Sequence, residues 1–265
     1  MSYDGTDFSG WAAQPGRRTV AGVLAGELER IFGSAGTRVT GLTVAGRTDA
    51  GVHATGQVAH VDVAAAGWER VGATAVRRLA GLLPPDVRVR AVTPVPASFD
   101  ARFSALSRRY EYRLADTPWG AEPVRARDTL SWPRRLDLDA LEAASAMLVG
   151  LHDFVAFCRR KEHASTIRTV TRFDWRRDPD GVLVATVAAD AFCWSMVRSL
   201  VGALIAVGEG RRPVGWPAAL LGSAGRANDV VVVPPHGLTL VEVVYPDAAA
   251  YAARAEVTRN RRDLE

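Results

Sequence analysis

The stretch from Ala45 to Gln57 reads AGRTDAGVHATGQ and separates two segments with the pattern of β-strands. These segments are Val39 to Ala45, before the stretch, and Gln57 to Val63, where apolar and polar residues alternate. Three glycines within the stretch permit a tight loop and a close approach of a ligand to the backbone. Asp49 stands in the middle of this loop, close to Arg47. The sequence therefore predicts a loop between two strands that presents a single carboxylate.

Other loop types explain this stretch less well. Gly46 and Gly51 have the outer spacing of a phosphate-binding loop, but Val52-His53 follows where lysine and serine or threonine are required. A carboxylate in such a loop would also repel phosphate. Glycosidases use two facing acidic residues, and this loop offers one. From the residues alone, a turn in which Asp49 only caps backbone N–H groups stays open.

The composition bounds the class of protein. A chain of 265 residues with 48% hydrophobic and 23% charged residues is typical of a soluble globular protein with one large or two smaller domains. It contains no run of about eighteen apolar residues and no signal-peptide pattern, so we expect a cytoplasmic protein without a membrane span. Two cysteines and five scattered histidines predict neither a disulfide framework nor a metal site.

The charge balance is basic, with 33 Lys and Arg against 29 Asp and Glu and a pI near 9.5. Arginine binds phosphate through two parallel hydrogen bonds and stacks on bases. A genome that favours arginine codons explains the predominance of arginine equally well, and the net charge is only a weak indication of a nucleic-acid partner. Basic residues that could contact RNA occur in adjacent groups: Arg17-Arg18, Arg134-Arg135, Arg159-Arg160-Lys161, Arg176-Arg177 and Arg211-Arg212.

The rest of the chain mixes helical and strand patterns. Helices are predicted from the N-cap Thr19 to Gly33, and at Glu69–Leu83, Leu138–Val149, Ser195–Val207 and Trp216–Leu221. Strands are predicted at Val87–Ala91, Tyr110–Leu114, Val182–Ala188 and Leu238–Val244, and the tail after Tyr245 is expected to fray. Strands outside simple βα alternation favour an α+β fold over a doubly wound parallel sheet. A domain boundary is expected near residues 104–108.

The Asp49 loop resembles the signature of the tRNA pseudouridine synthase A family, in which the aspartate of the Arg-Thr-Asp-Ala-Gly-Val-His loop is the essential catalytic residue. The resemblance covers residues 3–246 in order, through Tyr3–Thr6, Gly10-Trp11, Phe99–Ser104, Arg108–Tyr112, Gly150–Phe154, Thr166–Val170, Phe192, Met196–Gly202 and Gly237-Leu238. The sequence departs from the family in two places. The family has a full strand before Tyr3, so we expect an upstream start, and Ala12-Ala13-Gln14 stands where the family has glutamine directly after Gly10-Trp11.

The resemblance implies a pseudouridine synthase fold. In that fold two α+β subdomains, here residues 1–104 and 105–246, share a mixed, mostly antiparallel central sheet with the active site in a cleft, and a charged tail at 247–265 follows. It also implies an enzyme that isomerises uridine to pseudouridine at positions 38, 39 and 40 of the tRNA anticodon stem-loop. The family acts as a homodimer on tRNA without a cofactor, metal or membrane. The alternatives are a catalytically silent RNA-binding or RNA-folding protein of the same fold, and a synthase with other target uridines.

The resemblance also implies residue roles. Asp49 acts on a flipped-out nucleotide as nucleophile or base, and either role requires the ionised carboxylate. Arg198 is its ion-pair partner and lowers its pKa. Tyr110 is a catalytic residue that stacks on the uracil, Leu238 forms an apolar wall of the substrate site, and Arg47 binds RNA backbone or positions the substrate.

The pattern alone leaves plainer interpretations of these residues open. Tyr110 alternates with Tyr112 on a predicted strand, as a core aromatic would. Arg198 could be a solvated helix charge, although it lies among apolar residues where an unpaired arginine is costly. His53 and Gln57 could support the catalytic loop from behind, but a lone histidine is more often a hydrogen-bonded structural residue.

Overall fold

A computed structural model describes residues 1–159 and 165–260 of the chain. Its residues form two compact units. The first contains Met1–Leu106 and Leu240–Arg259, and the second contains Ser107–Thr239 and, among the described residues, Asn260. The first unit is therefore built from two long, separate stretches of sequence, whereas nearly all of the second lies in one stretch.

The helices and strands follow one another in mixed order. They are β1 (Ser2–Tyr3), α1 (Val20–Gly33), β2 (Val39–Val44), β3 (His53–Ala54), β4 (Ala59–Val63), α2 (Ala65–Val71), α3 (Ala75–Leu82), β5 (Val87–Arg88), β6 (Ser107–Ala115), β7 (Leu130–Ser131), α4 (Leu138–Ala146), β8 (Gly150–Asp153), β9 (Ile167–Arg177), β10 (Leu183–Ala189), α5 (Met196–Gly208), α6 (Trp216–Ala219), β11 (Leu238–Val244) and α7 (Tyr251–Arg259). The α+β class is confirmed, and the strand pairings are mostly antiparallel, although β6 and β7 pair in parallel.

In the first unit, short strands surround the start of the chain. Strand β1 pairs antiparallel with β3 on one side and with β5 on the other, so that Tyr3 lies opposite both Ala54 and Val87. Beyond β3, the carbonyl of Leu240 in β11 accepts hydrogen bonds from the N–H groups of Thr55 and Gly56. Strands β2 and β4 form a separate antiparallel pair. The Asp49 loop therefore runs from β2 into β3, as a loop between strands.

Helix α1 packs on the first unit as its sequence predicts. The side chain of its N-cap Thr19 accepts a hydrogen bond from the N–H of Gly22 at 3.2 Å, which satisfies one of the free donors of the first turn. The residues at helical spacing on its inner face are buried: Val20, Ala21, Leu24, Leu28, Ile31 and Phe32. Burial of this stripe, rather than helix propensity, supplies most of its stability.

In the second unit, β6 pairs with β10, β10 with β9 and β9 with β8, all antiparallel. The side chains of Arg108, Tyr110, Tyr112 and Leu114 are all buried and lie on one face of β6, since alternate residues of a strand point the same way. Strand β10 is almost completely buried. Helix α5 is buried along its whole length except at Arg198, which is partly exposed.

Several predicted boundaries are wrong for reasons that depend on tertiary packing. The predicted helix Glu69–Leu83 is two helices, because a 3₁₀ turn at Gly72–Thr74 interrupts it. A Cβ atom on Gly72 would lie 2.7 Å from the Trp68 ring. The chain therefore turns at a position where glycine lets the indole pack against the backbone. The predicted helix at Leu138 ends at Ala146, and the predicted strand Val87–Ala91 keeps only two residues.

The tail does not fray up to residue 260, contrary to the expectation. It forms α7, and the Tyr251 ring packs against Phe99 with ring centroids 5.0 Å apart. Arg254 donates through Nε to the carbonyl of Ala105 at 3.1 Å, and Arg259 lies over the ring of Phe103. These partners lie about 150 residues earlier in the chain, so no local pattern could reveal them.

The two cysteines are also paired, contrary to the expectation. Cys158 and Cys193 form a disulfide with Cα atoms 5.7 Å apart. The bond joins the turn after β8 to the segment before α5, which are 35 residues apart in sequence. Two cysteines at that spacing carry no local signal, because only the fold brings them together.

Within residues 1–159 and 165–260, none of the helices combines the length and apolar character needed to cross a membrane. The same part of the chain contains no group of three or more His, Cys, Asp or Glu side chains arranged to hold a metal ion.

Asp116 is the most deeply buried carboxylate with an arginine partner in the second unit. Its side chain accepts two hydrogen bonds from Arg177, at 2.7 and 3.0 Å, one from Arg135 at 3.2 Å and one from the N–H of Leu136 at 3.0 Å. Burial raises the pKa of Asp116, but these hydrogen bonds and the charges of both arginines outweigh it and hold the pKa below its usual value.

We predict that Asp116→Asn lowers the free energy of unfolding by roughly 3 kcal/mol at pH 7, because it leaves Arg177 without its buried partner. A carboxyl group with a depressed folded-state pKa stabilises the fold above its unfolded pKa of about 3.9, and this contribution is lost as the pH falls through the folded value. The difference between wild type and variant should therefore shrink below pH 4. Urea unfolding across this pH range measures it.

Asp229→Asn is the matched control, because Asp229 pairs with Arg212 at 2.9 Å but is about half exposed. Its effect should stay below about 1 kcal/mol, as for other surface ion pairs. Equal losses in the two variants would contradict the assigned role of Asp116.

Candidate active site

The Asp49 loop is fixed by hydrogen bonds at both of the peptide groups that flank its carboxylate. The carbonyl of Thr48 accepts a hydrogen bond from the N–H of Trp11 at 3.1 Å. The carbonyl of Asp49 accepts one from the N–H of Val52, also at 3.1 Å, which closes a turn through Gly51 with its positive φ of 77°. Asp49 itself is half-buried, Thr48 before it is buried, and Arg47 is exposed. The backbone is therefore held tightly where the carboxylate meets the surface.

Two glycines near the start of the chain permit this close packing. Gly10 has φ +91°, and a Cβ on it would lie 2.9 Å from the carbonyl oxygen of Thr48. A Cβ on Gly5 would lie 2.0 Å from the carbonyl oxygen of Val52. Backbone therefore packs directly against backbone on both sides of Asp49, which only glycine allows.

A buried hydrogen-bond network lies behind the loop. The Tyr3 hydroxyl lies 2.8 Å from Thr48 Oγ1 and accepts a hydrogen bond from Gln57 Nε2 at 3.0 Å. Gln57 Nε2 also donates to the carbonyl of Gly46 at 2.9 Å. Burial raises the pKa of Tyr3 to about 12, despite these hydrogen bonds, so the phenol keeps its proton at neutral pH.

His53 ties the N-terminal segment to the strand that follows the loop. Its Nδ1 lies 2.9 Å from the N–H of Gly5 and 3.2 Å from a carboxylate oxygen of Asp4. A backbone N–H can only donate, so Nδ1 accepts that hydrogen bond and cannot carry a proton toward Asp4 at the same time. In this arrangement His53 is a hydrogen-bonded structural residue.

In the second unit, Tyr110 lies on β6 with only 8% of its surface exposed. Its ring meets Phe192 edge to face, with centroids 5.1 Å apart and planes at 87°, a preferred aromatic geometry. Phe192 belongs to the segment between β10 and α5. The ring of Tyr110 is therefore held by an aromatic neighbour that the sequence motif also contains.

Arg198 holds the segment that leads into β11. Its Nε donates to the carbonyl of Val233 at 2.7 Å, and its own carbonyl accepts a hydrogen bond from the N–H of Val233. Beside it, the Tyr112 hydroxyl donates to the carbonyl of Pro234 at 2.9 Å. Burial raises the pKa of Tyr112, and the Arg198 charge opposes this only in part, so the hydroxyl remains a donor.

Leu238, at the start of β11, is placed by this same segment. It is buried, with 6% of its surface exposed, and follows Gly237, which lies against the ring of Tyr112. A Cβ on Gly237 would lie 2.7 Å from that ring, so the approach requires glycine. The second unit thus places Tyr110, Arg198 and Leu238, and the first unit places Asp49 and Arg47.

Sequence reasoning missed several residues that support these positions. Tyr3, Thr48, Tyr112 and Val233 all make the contacts described above. Tyr3, Thr48 and Tyr112 occur in the motifs of the sequence, but no pattern indicates that residues 45 positions apart share a hydrogen bond.

Most arginines of the predicted basic groups form contacts within the protein itself. Most of their arginines that the structure describes pair with carboxylates of the same chain: Arg18 with Asp86, Arg134 and Arg211 with Glu209, Arg135 and Arg177 with Asp116, Arg176 with Glu111 and Asp178, and Arg212 with Asp229. Arg159 lies over the ring of Trp194, and Arg160 and Lys161 lie outside the described residues. An arginine that already pairs with a carboxylate gains less from a phosphate, so this pairing reduces the charge that the groups offer to an anionic partner.

Another arginine group gathers in the first unit. Arg30 of α1 and Arg77 and Arg78 of α3 line a cavity of about 450 Å³ together with Ser34, which accepts a hydrogen bond from Arg78 at 2.8 Å. Glu27 lies 3.7 Å from Arg30 in this group. Sequence clustering could not detect the group, because α1 and α3 are far apart along the chain.

The fold and the loop together define an α+β protein that presents a single carboxylate from a loop between strands. The sequence pattern of a family described as tRNA pseudouridine synthase matches residues 1–104 and 144–246. The chain therefore belongs to this family. The matched segments contain Asp49, Arg47, Arg198 and Leu238, and Tyr110 lies between them.

Individual relatives are similar over nearly their full length. A protein of Frankia casuarinae is 59% identical over 259 residues, which cover 98% of this chain and 92% of the relative. Proteins of Streptomyces griseus and Mycobacterium leprae are 55% and 49% identical, cover 100% and 99% of this chain, and are each covered to 93%. All three relatives are named tRNA pseudouridine synthase A.

We predict that Gly10→Ala destabilises the Asp49 loop, because the added methyl group meets the Thr48 carbonyl. Gly16→Ala is the matched control: Gly16 also has a positive φ, of 70°, but no atom lies within 4 Å of its Cβ position. Both variants carry the backbone strain of about 1 kcal/mol, and only Gly10→Ala adds the clash. Urea unfolding should show a loss larger by about 1–3 kcal/mol for Gly10→Ala, whereas equal losses would contradict the close approach.

Proposed function

We propose that this protein isomerises uridine to pseudouridine in the anticodon stem-loop of tRNA, at positions 38, 39 and 40. The observation that carries the proposal is the half-buried Asp49 carboxylate in a hydrogen-bonded loop, whose sequence resembles the signature of the family and lies within the matched residues. The names of the relatives support tRNA as the substrate.

The reaction needs a carboxylate and no co-reactant. The bond from ribose C1′ to uracil N1 breaks, the base turns, and a new bond forms between C1′ and C5, while the proton on C5 is lost and N1 gains one. Asp49 either attacks the sugar as a nucleophile or removes a sugar proton as a base. Both roles require the ionised carboxylate, and its position at the edge of the protein surface keeps it accessible to a nucleotide.

We assign the remaining residues to the same reaction. The Arg198 cation favours the ionised form of the Asp49 carboxylate, and Tyr110 stacks on the uracil and takes part in proton transfer. Leu238 forms an apolar wall beside the base, and exposed Arg47 contacts RNA backbone. Hydrogen bonds to Val233 and Pro234 and the edge-on contact with Phe192 support these positions in the second unit.

The substrate has to be deformed for this chemistry. A uridine in a stem is reached only after it leaves the base stack, at a cost of a few kcal/mol. Contacts with RNA shape and phosphates have to offset that cost. The group of Arg30, Arg77 and Arg78, in which Arg30 lies 3.7 Å from Glu27, is our first choice for a phosphate contact. We further propose a cytoplasmic homodimer that uses no cofactor.

Asp49→Asn should abolish pseudouridine formation, because an amide is neither a nucleophile nor a base of comparable strength. The measurement is chemical labelling and mapping of pseudouridine in unmodified tRNA after incubation with each purified protein. Asp139→Asn, at an exposed position of α4, is the control that removes one negative charge elsewhere and should keep wild-type activity.

The same experiment separates the proposal from its alternatives. Wild-type modification outside positions 38–40 would point to a synthase with other targets. A wild-type protein that binds tRNA without modifying it would support the silent RNA-binding or RNA-folding protein. Activity retained in Asp49→Asn would remove Asp49 from the chemistry.

The charge of Arg198 can be tested apart from its hydrogen bond. Arg198→Gln places its Nε2 amide where Arg198 has Nε, so it can keep the donor to Val233 but loses the charge, whereas Arg198→Lys has a methylene there, loses that donor and keeps the positive charge. If the charge supports the ionised carboxylate, kcat of Arg198→Lys should exceed that of Arg198→Gln by about tenfold or more. Equal rates in single-turnover assays would show that Arg198 serves the structure of the segment before β11 and not the charge of the site.

A further inference from the structure

The loop that carries Asp49 is tied to the N-terminal strand through three side chains that none of the assigned roles includes. Tyr3, Thr48 and Gln57 come from β1, from the residue before Asp49 and from the segment before β4. Their exposed fractions are 4%, 6% and 1%, so the three polar groups are removed from water. Buried polar groups of this kind are costly unless each is hydrogen-bonded.

The direction of each hydrogen bond follows from the others. Gln57 Oε1 accepts from the N–H of Val58 at 3.2 Å, and Nε2 faces the carbonyl of Gly46, which can only accept. The amide orientation is thereby fixed, and the second N–H of Gln57 points to the Tyr3 oxygen. The Tyr3 proton is then available for Thr48 Oγ1, 2.8 Å away. The network runs from Gln57 through Tyr3 to the residue next to Asp49.

The network holds the Asp49 loop at two points. Gln57 binds the Gly46 carbonyl, three residues before Asp49, and Tyr3 binds the Thr48 side chain, one residue before it. The Trp11 N–H holds the Thr48 carbonyl, and the Gly10 backbone lies against the same peptide group. Thr48, the residue directly before Asp49, is therefore restrained at its side chain and at its backbone.

We propose that Tyr3, Thr48 and Gln57 are positioning residues for catalysis, which fix the Asp49 carboxylate in its reactive place through the Thr48 hydroxyl. This rests on the proposed function of Asp49. The Tyr3 phenol takes no part in proton transfer itself, because it keeps its proton and is closed off from the surface. A catalytic group displaced by about 1 Å can lose up to about a hundredfold in rate, so a small relaxation of the loop is measurable.

The central test compares Thr48→Val with Thr48→Ser. Valine has the shape of threonine but lacks the hydroxyl, whereas serine keeps it. Thr48→Val should lower kcat on tRNA about tenfold or more with KM changed less than about threefold, and Thr48→Ser should stay within about threefold of wild type. A purely packing role predicts the reverse order, because serine loses the methyl group. Equal losses in the two variants, or the wild-type rate in Thr48→Val, would overturn the proposal.

Tyr3→Phe tests the other end of the network and should show the same loss in kcat. Tyr245→Phe is its matched control. It removes another partly buried hydroxyl of the first unit, which donates to the carbonyl of Ala101 at 2.6 Å. Tyr245→Phe should keep wild-type kcat, even if both variants lose similar stability in urea unfolding.

A measurement that does not depend on activity separates this proposal from the proposed function. Amide hydrogen exchange of Trp11 and Val52 reports the two backbone hydrogen bonds that hold Thr48 and Asp49. Both amides should exchange about tenfold faster in Thr48→Val and Tyr3→Phe, and at the wild-type rate in Tyr245→Phe. If the wild-type protein forms no pseudouridine, the proposed function fails, and amide exchange alone then tests whether these residues hold the Asp49 loop. Unchanged exchange in Thr48→Val overturns the positioning role.

Discussion

The hydroxyl group of Tyr3 cannot reach water, and much of the first unit is arranged to satisfy it. Its partners, Thr48 and Gln57, lie on either side of β3, the strand with which β1 pairs. A hydrogen bond contributes only about 1 kcal/mol net, but a buried polar group left unpaired costs more. Once β1 places Tyr3 in the interior, the loop before β3 and the segment after it have to supply the hydrogen-bond partners of the Tyr3 hydroxyl. The position of Asp49 follows from that requirement, because it is the residue next to Thr48.

In the second unit, the polar groups that need partners in the interior are charged. Arg198 interrupts an otherwise buried helix, and it offsets its desolvation by donating to the Val233 carbonyl. On β9, Arg172 pairs with Asp174, which lies two residues on and hence on the same face, and Arg176 pairs with Asp178, just after the end of the strand. The basic composition of the chain is thus largely balanced within the fold. The positive charge available to RNA depends on the few places where arginines lie together with few carboxylates nearby, as Arg30, Arg77 and Arg78 do.

The parts of the fold that the sequence predicts are those with local causes. Helix α1 has a cap and an apolar stripe, and β2, β6, β10, α5 and β11 have apolar patterns of the right period, so their predicted positions agree with the structure to within about three residues. The Asp49 loop was predicted because glycines and a family signature coincide there. Helix α7, strands β8 and β9, and the Cys158–Cys193 pair depend on distant partners. The Tyr3 network has the same origin, since residues 3, 48 and 57 become neighbours only when β1 and β3 pair.

The division of the chain also sets an order of assembly during synthesis. Ser107–Thr239 is a continuous stretch that makes up nearly all of the second unit, so this part leaves the ribosome before Leu240–Arg259. The first unit lacks Leu240–Arg259 until that whole stretch has been made. Domains usually fold in the order in which they are made, but here the first unit is begun before Ser107–Thr239 and completed after it. Until then the carbonyl of Leu240 is missing beside Thr55 and Gly56. The edge of β3 therefore stays open through most of the protein's synthesis, and a nascent chain has to be protected there from pairing with other strands.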